Sequence, residues 1–469
     1  MIPMTLRDLA MLTGGSLHPD TEATRGLVVD GPVVTDSREV GTGSLYVARV
    51  GEHADGHAYS GAARDRGAVA ALTSRVVDEL PCVVVDDVQT AFGRIARGVV
   101  DRAPDLTVVA VTGSSGKTST KDLLAQVLGV AGPTVAPVNS LNGEIGVPLT
   151  VCRVDADTRF LVAEMGARGI GHLAYLTTIA PPDVSIVLNV GVAHVGEFGS
   201  REAVAQAKGE LVEALRPEGL AVLNADDAEV ATMRSRTRAR VVTVGTRPDA
   251  DIRAVDVSLD ALSRASFTVQ APVGRADVVL RLSGAHHVGN ALAVTAAALE
   301  CGMGLDAVAT ALSAARPTSR WRMEVHERAD GVTVVNDAYN ANPDSMRAAL
   351  EALRAIGRGS GEQRRTWAVL GEMLELGDLS RTEHERVGAC AAQLGTDRLV
   401  VVGPGAGGIA DGAAAEDAET EVSRVADADA AYALLESELA PGDVVLLKSS
   451  RDAGLRWLGD RLVGIEVSA

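Results

Sequence analysis

Leu106-Thr-Val-Val-Ala-Val111-Thr112-Gly113-Ser-Ser-Gly116-Lys117-Thr118-Ser-Thr-Lys121-Asp122 carries, in order, the signals of a buried strand, a glycine-rich turn and a helix start. The run 106–111 is apolar or β-branched without a charge, as a strand covered on both faces is. Gly113, Ser114, Ser115 and Gly116 then let successive backbone N–H groups wrap an anion at the N-terminus of a helix predicted over about 117–128. The ammonium of Lys117 would meet the β/γ-phosphates of a nucleotide there, with Ser119 closing the turn, and the Thr118 hydroxyl suits a nucleotide-bound Mg²⁺. A generic phosphate loop has glycine where Val111 stands, so this shortened loop points away from GTPases and ordinary ATPases.

Outward from this unit, 160–163, 184–188, 220–223 and 241–244 read as further buried strands, with helical sequence over 201–215. Strands alternating with helices imply a largely parallel sheet, whereas the alternating stretches within 252–282 imply an antiparallel extension at its edge, before a helix over 287–300. The runs 332–336, 367–370, 398–402 and 444–447, separated by helical sequence, describe another doubly wound unit. Upstream, short β-branched runs and Gly/Asp-rich turns over 27–85 precede a helix over 90–100. Breaks at Pro104 and Pro317 divide the 469 residues into three α/β domains, 1–104, 105–316 and 317–469. The central one is expected to be ATPase-like around the phosphate loop, with a mostly parallel sheet, and the last Rossmann-like. Residues 413–431, acidic and alanine-rich, read as solvated surface.

A net charge of −18 without any Lys/Arg block argues against a nucleic-acid surface. No run reaches the ~18 apolar residues of a membrane span, so a cytoplasmic location is expected. Cys82, Cys152, Cys301 and Cys390 are scattered, which suggests neither a disulfide framework nor a thiolate metal site. Lysine is the informative cation. Of 44 Lys plus Arg residues only Lys117, Lys121, Lys208 and Lys448 are lysine. A compact phosphate-facing ammonium, or an amine that must lose its proton, cannot be replaced by a guanidinium. Lys121, a turn into the helix, is expected to be structural.

Glu164 ends an apolar strand and opens Glu164-Met-Gly-Ala-Arg-Gly169, and His194 follows the strand after it, so both are expected at the carboxyl edge of the sheet, where α/β sites lie. A carboxylate and a neutral imidazole converging there suit a second divalent cation bridging ATP and an acceptor group; singly, each is as well read as a structural hydrogen-bonding group. Lys208 lies in an alanine-rich helix, where a neutral amine can add CO₂ to become an anionic carbamate, or can be a plain surface lysine. Gly403-Pro-Gly405-Ala-Gly-Gly408 formally fits a dinucleotide fingerprint, but Pro404 stiffens the turn and no acidic residue ends a second strand ~20 residues on, so a loop is expected.

Six separated motifs, in one order, resemble the Mur ligase family. They are Thr112 to Asp122, Asn139-Ser-Leu-Asn142-Gly-Glu144-Ile-Gly-Val-Pro148, Glu164 to Gly169, Asn189-Val-Gly-Val-Ala-His194-Val-Gly-Glu-Phe-Gly199, Ala207-Lys208-Gly-Glu210, and Asn336-Asp337-Ala-Tyr339-Asn340-Ala-Asn342-Pro343. Within the family the loop and the Tyr339–Pro343 motif resemble the branch that adds D-alanyl-D-alanine to UDP-N-acetylmuramoyl (UDP-MurNAc) tripeptide. Another amide ligase of the same superfamily, or a phosphate-loop switch, is the alternative. The resemblance implies an ATP-dependent ligase with two Mg²⁺ ions, a carbamylated Lys208 and a monomeric chain. It implies that Thr118, Glu164 and His194 hold metal; that Asn290, Arg322 and Asp337 reach adenine, phosphate and ribose; and that Lys117, Lys208, His194 and Glu164 carry the chemistry. An N-terminal UDP-sugar-binding domain would use Ser37, Arg38, Asp55 and His57, and Asn139, Asn142, Tyr339, Asn340 and Asn342 would face the remaining substrate. Lys448-Ser-Ser-Arg451 matches a C-terminal family motif. Gly143 and Ser449 depart from the family's asparagine and glycine, which leaves substrate detail near Gly143 open.

Overall fold

The computed structural model describes residues 1–191, 195–359 and 363–465. Among these, nine strands form the central sheet in the order Gly274–Ser283, Arg264–Ala271, Ile252–Leu259, Arg240–Gly245, Leu220–Asn224, Val184–Val187, Thr107–Thr112, Phe160–Glu164, Thr134–Val135. The strands from Ile252–Leu259 onward are parallel, and the first two extend the edge antiparallel, as their alternating sequence implies. The charge-free run of Thr107–Thr112 has a direct cause. Val109 and Val111 enter one buried cluster while Val108 and Ala110 enter another on the opposite face. Helices Lys117–Ala131 and His287–Glu300 cover the first face.

The second face is covered by His172–Ile179 and by Val88–Asp101, whose N-terminus is capped by Asp87 through Gln89 and Thr90 N–H groups. The latter helix carries a core continuous with Leu45, Val47, Leu72 and Val83 of a five-stranded N-terminal sheet, ordered Ser16–His18, Cys82–Val84, Ala68–Thr73, Ser44–Val47, Val33–Val34. The N-terminal and central domains therefore share apolar packing.

The third domain is a six-stranded sheet, Glu324–Glu327, Thr333–Asn336, Val444–Lys448, Thr366–Leu370, Arg398–Val402, Glu421–Val425, parallel except for the first. Residues 413–431, expected as solvated surface, instead supply its edge strand Glu421–Val425. Val422 and Val425 pack on the two cores while Glu421 and Arg424 stay in water, the charged pattern of an edge that resists further pairing. The glycine run after Val402 is a packing seam. A Cβ at Gly405 would lie 2.3 Å from the Glu372 carboxylate, which also bars a pyrophosphate, and one at Gly412 would lie 1.9 Å from the Glu385 carbonyl. Among the described residues no helix is long and apolar enough to cross a membrane.

Candidate active site

Parallel pairing sets Glu164 opposite Val111 and Val187 opposite Thr112, so the phosphate loop leaves the sheet between the ends of two neighbouring strands. Asn189 pins that loop. Its Oδ1 accepts from the Ser115 N–H at 2.9 Å, its Nδ2 donates to the Ser115 carbonyl at 3.2 Å, and its own carbonyl accepts from Ser114 N–H. Gly116 has φ +79° and a Cβ there would stand 2.9 Å from Asn290 Oδ1, so glycine serves both the turn and the close approach of the Asn290 helix.

Beside the loop, Glu164 is wholly buried. Its Oε1 accepts from Thr118 Oγ1 (3.3 Å), Ser140 Oγ (2.8 Å) and Asn142 Nδ2 (2.8 Å), whereas its equally buried Oε2 has no hydrogen-bond partner among the described residues. A buried carboxylate oxygen left unpaired costs ~1–3 kcal/mol or more, and a carboxylate beside the Thr118 and Ser140 hydroxyls offers the oxygen donors that a hard divalent cation takes. The residues present therefore fit Mg²⁺. His194, the other expected ligand, lies outside the described residues.

The four lysines take four different environments. Lys117 Nζ donates to the Gly113 carbonyl at 2.7 Å, lying across the loop, and burial lowers its pKa against the pull of Glu164. Lys208 is 2% exposed on helix Arg201–Glu213, and no hydrogen bond or ion pair engages its Nζ among the described residues. Burial, with Lys117 nearby, holds its amine well below its ordinary value and so shifts it toward the neutral form. Two residues on, Glu210 accepts from the N–H groups of Gly171 and Ala174, tying this helix to the start of His172–Ile179. Lys121 pairs with Asp122 and the Pro137 carbonyl, the structural role expected of it. Lys448 is buried at the end of its strand, 2.6 Å from Asp337 Oδ2 and 3.1 Å from the Asn340 carbonyl; it fixes the 337–340 turn, a role its sequence did not disclose.

The carboxyl edge of the third sheet faces that of the central one. Arg322 Nη2 donates to Thr118 Oγ1 at 3.1 Å, its guanidinium lies 4.2 Å from the Tyr339 ring centroid, and its buried Nε has no partner among the described residues. Asn342 caps helix Pro343–Gly357 through Ser345 N–H while its Nδ2 donates to the Ser114 carbonyl at 3.3 Å. Between the two edges lies one cavity of about 1080 Å³. Of the expected residues, Ser114 to Ser119, Asn142, Glu164, Lys208, Asn290, Arg322, Asp337, Tyr339, Asn340 and Asn342 line it. Asp337 does so with both oxygens engaged, by Lys448 and by Met323 N–H.

Asn139 is not in that lining; it holds a turn at φ +55°. Nor are the N-terminal candidates, which gather at the edge of their own sheet. Asp55 Oδ1 lies 2.6 Å from His57 Nδ1, Ser74 N–H donates to His57 Nε2, Arg75 pairs with Asp55, and Arg38 pairs with Asp36 beside the buried Ser37. Sequence reading missed Ser140 and Asn189, whose signals were their places inside quoted motifs. It also missed Asn224, Asp226, Thr246 and His286, which line the cavity beyond Asn290.

Fold and site define a nucleotide-using α/β enzyme whose active cavity is shared between two domains. Residues 111–298 match the family model described as Mur ligase middle domain, and 321–451 that described as Mur ligase, glutamate ligase domain. A UDP-N-acetylmuramoyl-tripeptide–D-alanyl-D-alanine ligase of Mycobacterium tuberculosis (strain H37Rv) is 46% identical over 503 residues, covering 99% of this chain and 98% of its own. The enzyme of that name from Escherichia coli (strain K12) is 35% identical, covering 86% of each. The crystal structure of MurF from Acinetobacter baumannii superposes with a TM-score of 0.88 at 30% identity, covering 98% of this chain and 99% of its own. MurF from Thermotoga maritima, solved in complex with ADP, has a TM-score of 0.80 at 28% identity, covering 93% and 98%. The chain belongs to the Mur ligase family.

Proposed function

We propose that this chain is the ATP-dependent ligase that joins D-alanyl-D-alanine to UDP-MurNAc-tripeptide in peptidoglycan synthesis, working as a cytoplasmic monomer with domains 1–104, 105–316 and 317–469. One observation carries the reading. A single cavity of about 1080 Å³ takes in the phosphate loop, Glu164, Lys208 and the Tyr339–Asn342 turn, which is room for a nucleotide and a second reactant together.

ATP would lie with its phosphates on the N–H groups of Gly113 to Thr118, under Lys117, with Asn290 towards the base and Arg322 reaching the phosphates from the third domain. Thr118 would hold one Mg²⁺ and Glu164, with His194, a second. Bound magnesium supplies positive charge beside the transferring phosphoryl group. Lys117 and Arg322 add to that charge, so a carboxylate oxygen of the tripeptide can take the γ-phosphoryl group in line, giving an acyl phosphate and ADP. The amine of D-alanyl-D-alanine then attacks the acyl carbon, and phosphate leaves with the bridging oxygen. Lys208, as its carbamate, would hold a negative charge close to Lys117 and the metal, which its buried amine, without a partner among the described residues, permits. Ser37, Arg38, Asp55 and His57 would meet the uridine diphosphate-sugar on the N-terminal sheet, leaving Asn139, Asn142, Tyr339, Asn340 and Asn342 nearer the peptide.

The test is ADP release with UDP-MurNAc-tripeptide, with and without D-alanyl-D-alanine. Release that needs both substrates supports the reading. Hydrolysis indifferent to both would favour a phosphate-loop switch, and release with a single amino acid in place of the dipeptide would favour another ligase of the superfamily.

A further inference from the structure

Asp460 lies on the C-terminal helix Leu455–Leu462, far along the chain from any expected site residue, and is 1% exposed. It is not idle. Its Oδ1 accepts from Arg320 Nη2 at 2.8 Å and from Trp321 Nε1 at 3.0 Å, and its Oδ2 lies 3.1 Å from the same indole nitrogen. The carboxylate thus holds both residues immediately before Arg322.

That segment has an uncommon backbone. Trp321 has φ +57° and Met323 φ +50°, left-handed conformations that bulky residues adopt only where their surroundings impose them. The consequence is directional. Trp321 turns into the third domain, edge-on to Trp457 at 5.0 Å and stacked against Tyr339 at 6.4 Å, and Met323 enters that domain's core. Arg322, between them, is sent the other way, across the cavity to Thr118. Hydrogen bonds from Trp321 N–H to Glu324, Met323 N–H to Asp337 and Tyr339 N–H to the Trp321 carbonyl hold the backbone, and among the described residues Asp460 alone accepts from the indole N–H.

We propose that Asp460 is a positioning residue for Arg322: by gripping the Trp321 indole it locks the left-handed segment that aims the guanidinium at the nucleotide phosphates. The inference rests on the ligase reading above, with Arg322 as its phosphate contact.

A double-mutant cycle tests it on the full chain, with ADP release in the presence of both substrates as the assay. Asp460→Ala should lower kcat roughly ten- to a hundredfold, the scale of an ångström's misplacement, while the KM for UDP-MurNAc-tripeptide moves less than about twofold. In an Arg322→Ala background the same substitution should have no further effect, because the group it positions is gone. Asp460→Asn, which keeps an acceptor for the indole, should recover most of the rate. Trp321→Phe, which keeps the ring stack without the N–H, should behave as Asp460→Ala does. Equal losses with and without Arg322, or an unchanged kcat in Asp460→Ala, would overturn the proposal. A wild-type chain without substrate-dependent release would instead overturn the reading beneath it.

Discussion

Replacing Lys208 by methionine puts an unbranched apolar chain into the same buried slot and removes only the amine. Lys208 is 2% exposed, and burial, with Lys117 adding to the effect, holds its amine well below the ordinary 10.5. The unfolded chain keeps a proton on this lysine up to pH 10.5, whereas the folded chain releases it earlier. Within that window unfolding takes up a proton, so the penalty of burying the amine is largest at low pH, shrinks as pH rises and vanishes above the unfolded value. The slope is at most ~1.36 kcal/mol per pH unit, so in the window just below pH 10.5 the wild type should gain on Lys208→Met by up to that amount per unit, roughly 3–5 °C for a domain of ~200 residues. Thermal melts of both chains in CO₂-stripped buffer, paired with ADP release, are the assay. The variant should be the more stable near neutrality and inactive. A stability difference that does not change with pH, or a variant less stable at neutral pH, would refute a desolvated amine at this position.

Thr118→Val deletes the hydroxyl that accepts from Arg322 and donates to Glu164. ADP release should fall by about 10²-fold or more and Mg²⁺ dependence should weaken, with stability in urea lowered by only ~1 kcal/mol. Gly196 N–H donates to the Glu375 carbonyl, and a Cβ at Gly196 would lie 2.6 Å from Gly377 N, where the third domain meets the central one. Gly196→Ala should therefore open that contact, raising the radius of gyration in scattering with ATP analogue and lowering kcat more than nucleotide affinity. Asp443 is 4% exposed and accepts from Arg365, Trp367 Nε1 and Ala440 N–H, so Asp443→Ala should cost ~3–5 kcal/mol in a urea melt, and a loss near zero would contradict the burial argument.

The parallel strands were legible because burial on both faces leaves a run such as 107–112 no room for charge, and the helix His287–Glu300 was legible to the residue. The edge strand Glu421–Val425 was not. Two of its five side chains face water and none is fully buried, so its composition is that of a surface loop, and its place beside Arg398–Val402 makes it a strand. The phosphate loop announced itself through glycine spacing, which is local. Glu164 announced only its position, because the half-satisfied carboxylate depends on Ser140 and Asn142, which reach it from a separate loop. Lys448 and Asp460 were opaque for the same reason: each acts on a partner more than a hundred residues away in sequence. Nothing local marks such a pair.

The central claim is that the tripeptide carboxylate becomes an acyl phosphate before the amide forms. A tripeptide carrying ¹⁸O in its terminal carboxylate tests it directly, with inorganic phosphate analysed by mass spectrometry after one turnover with ATP and D-alanyl-D-alanine. The account predicts phosphate bearing a single labelled oxygen, with the other retained in the new amide carbonyl. Unlabelled phosphate alongside amide product would contradict it.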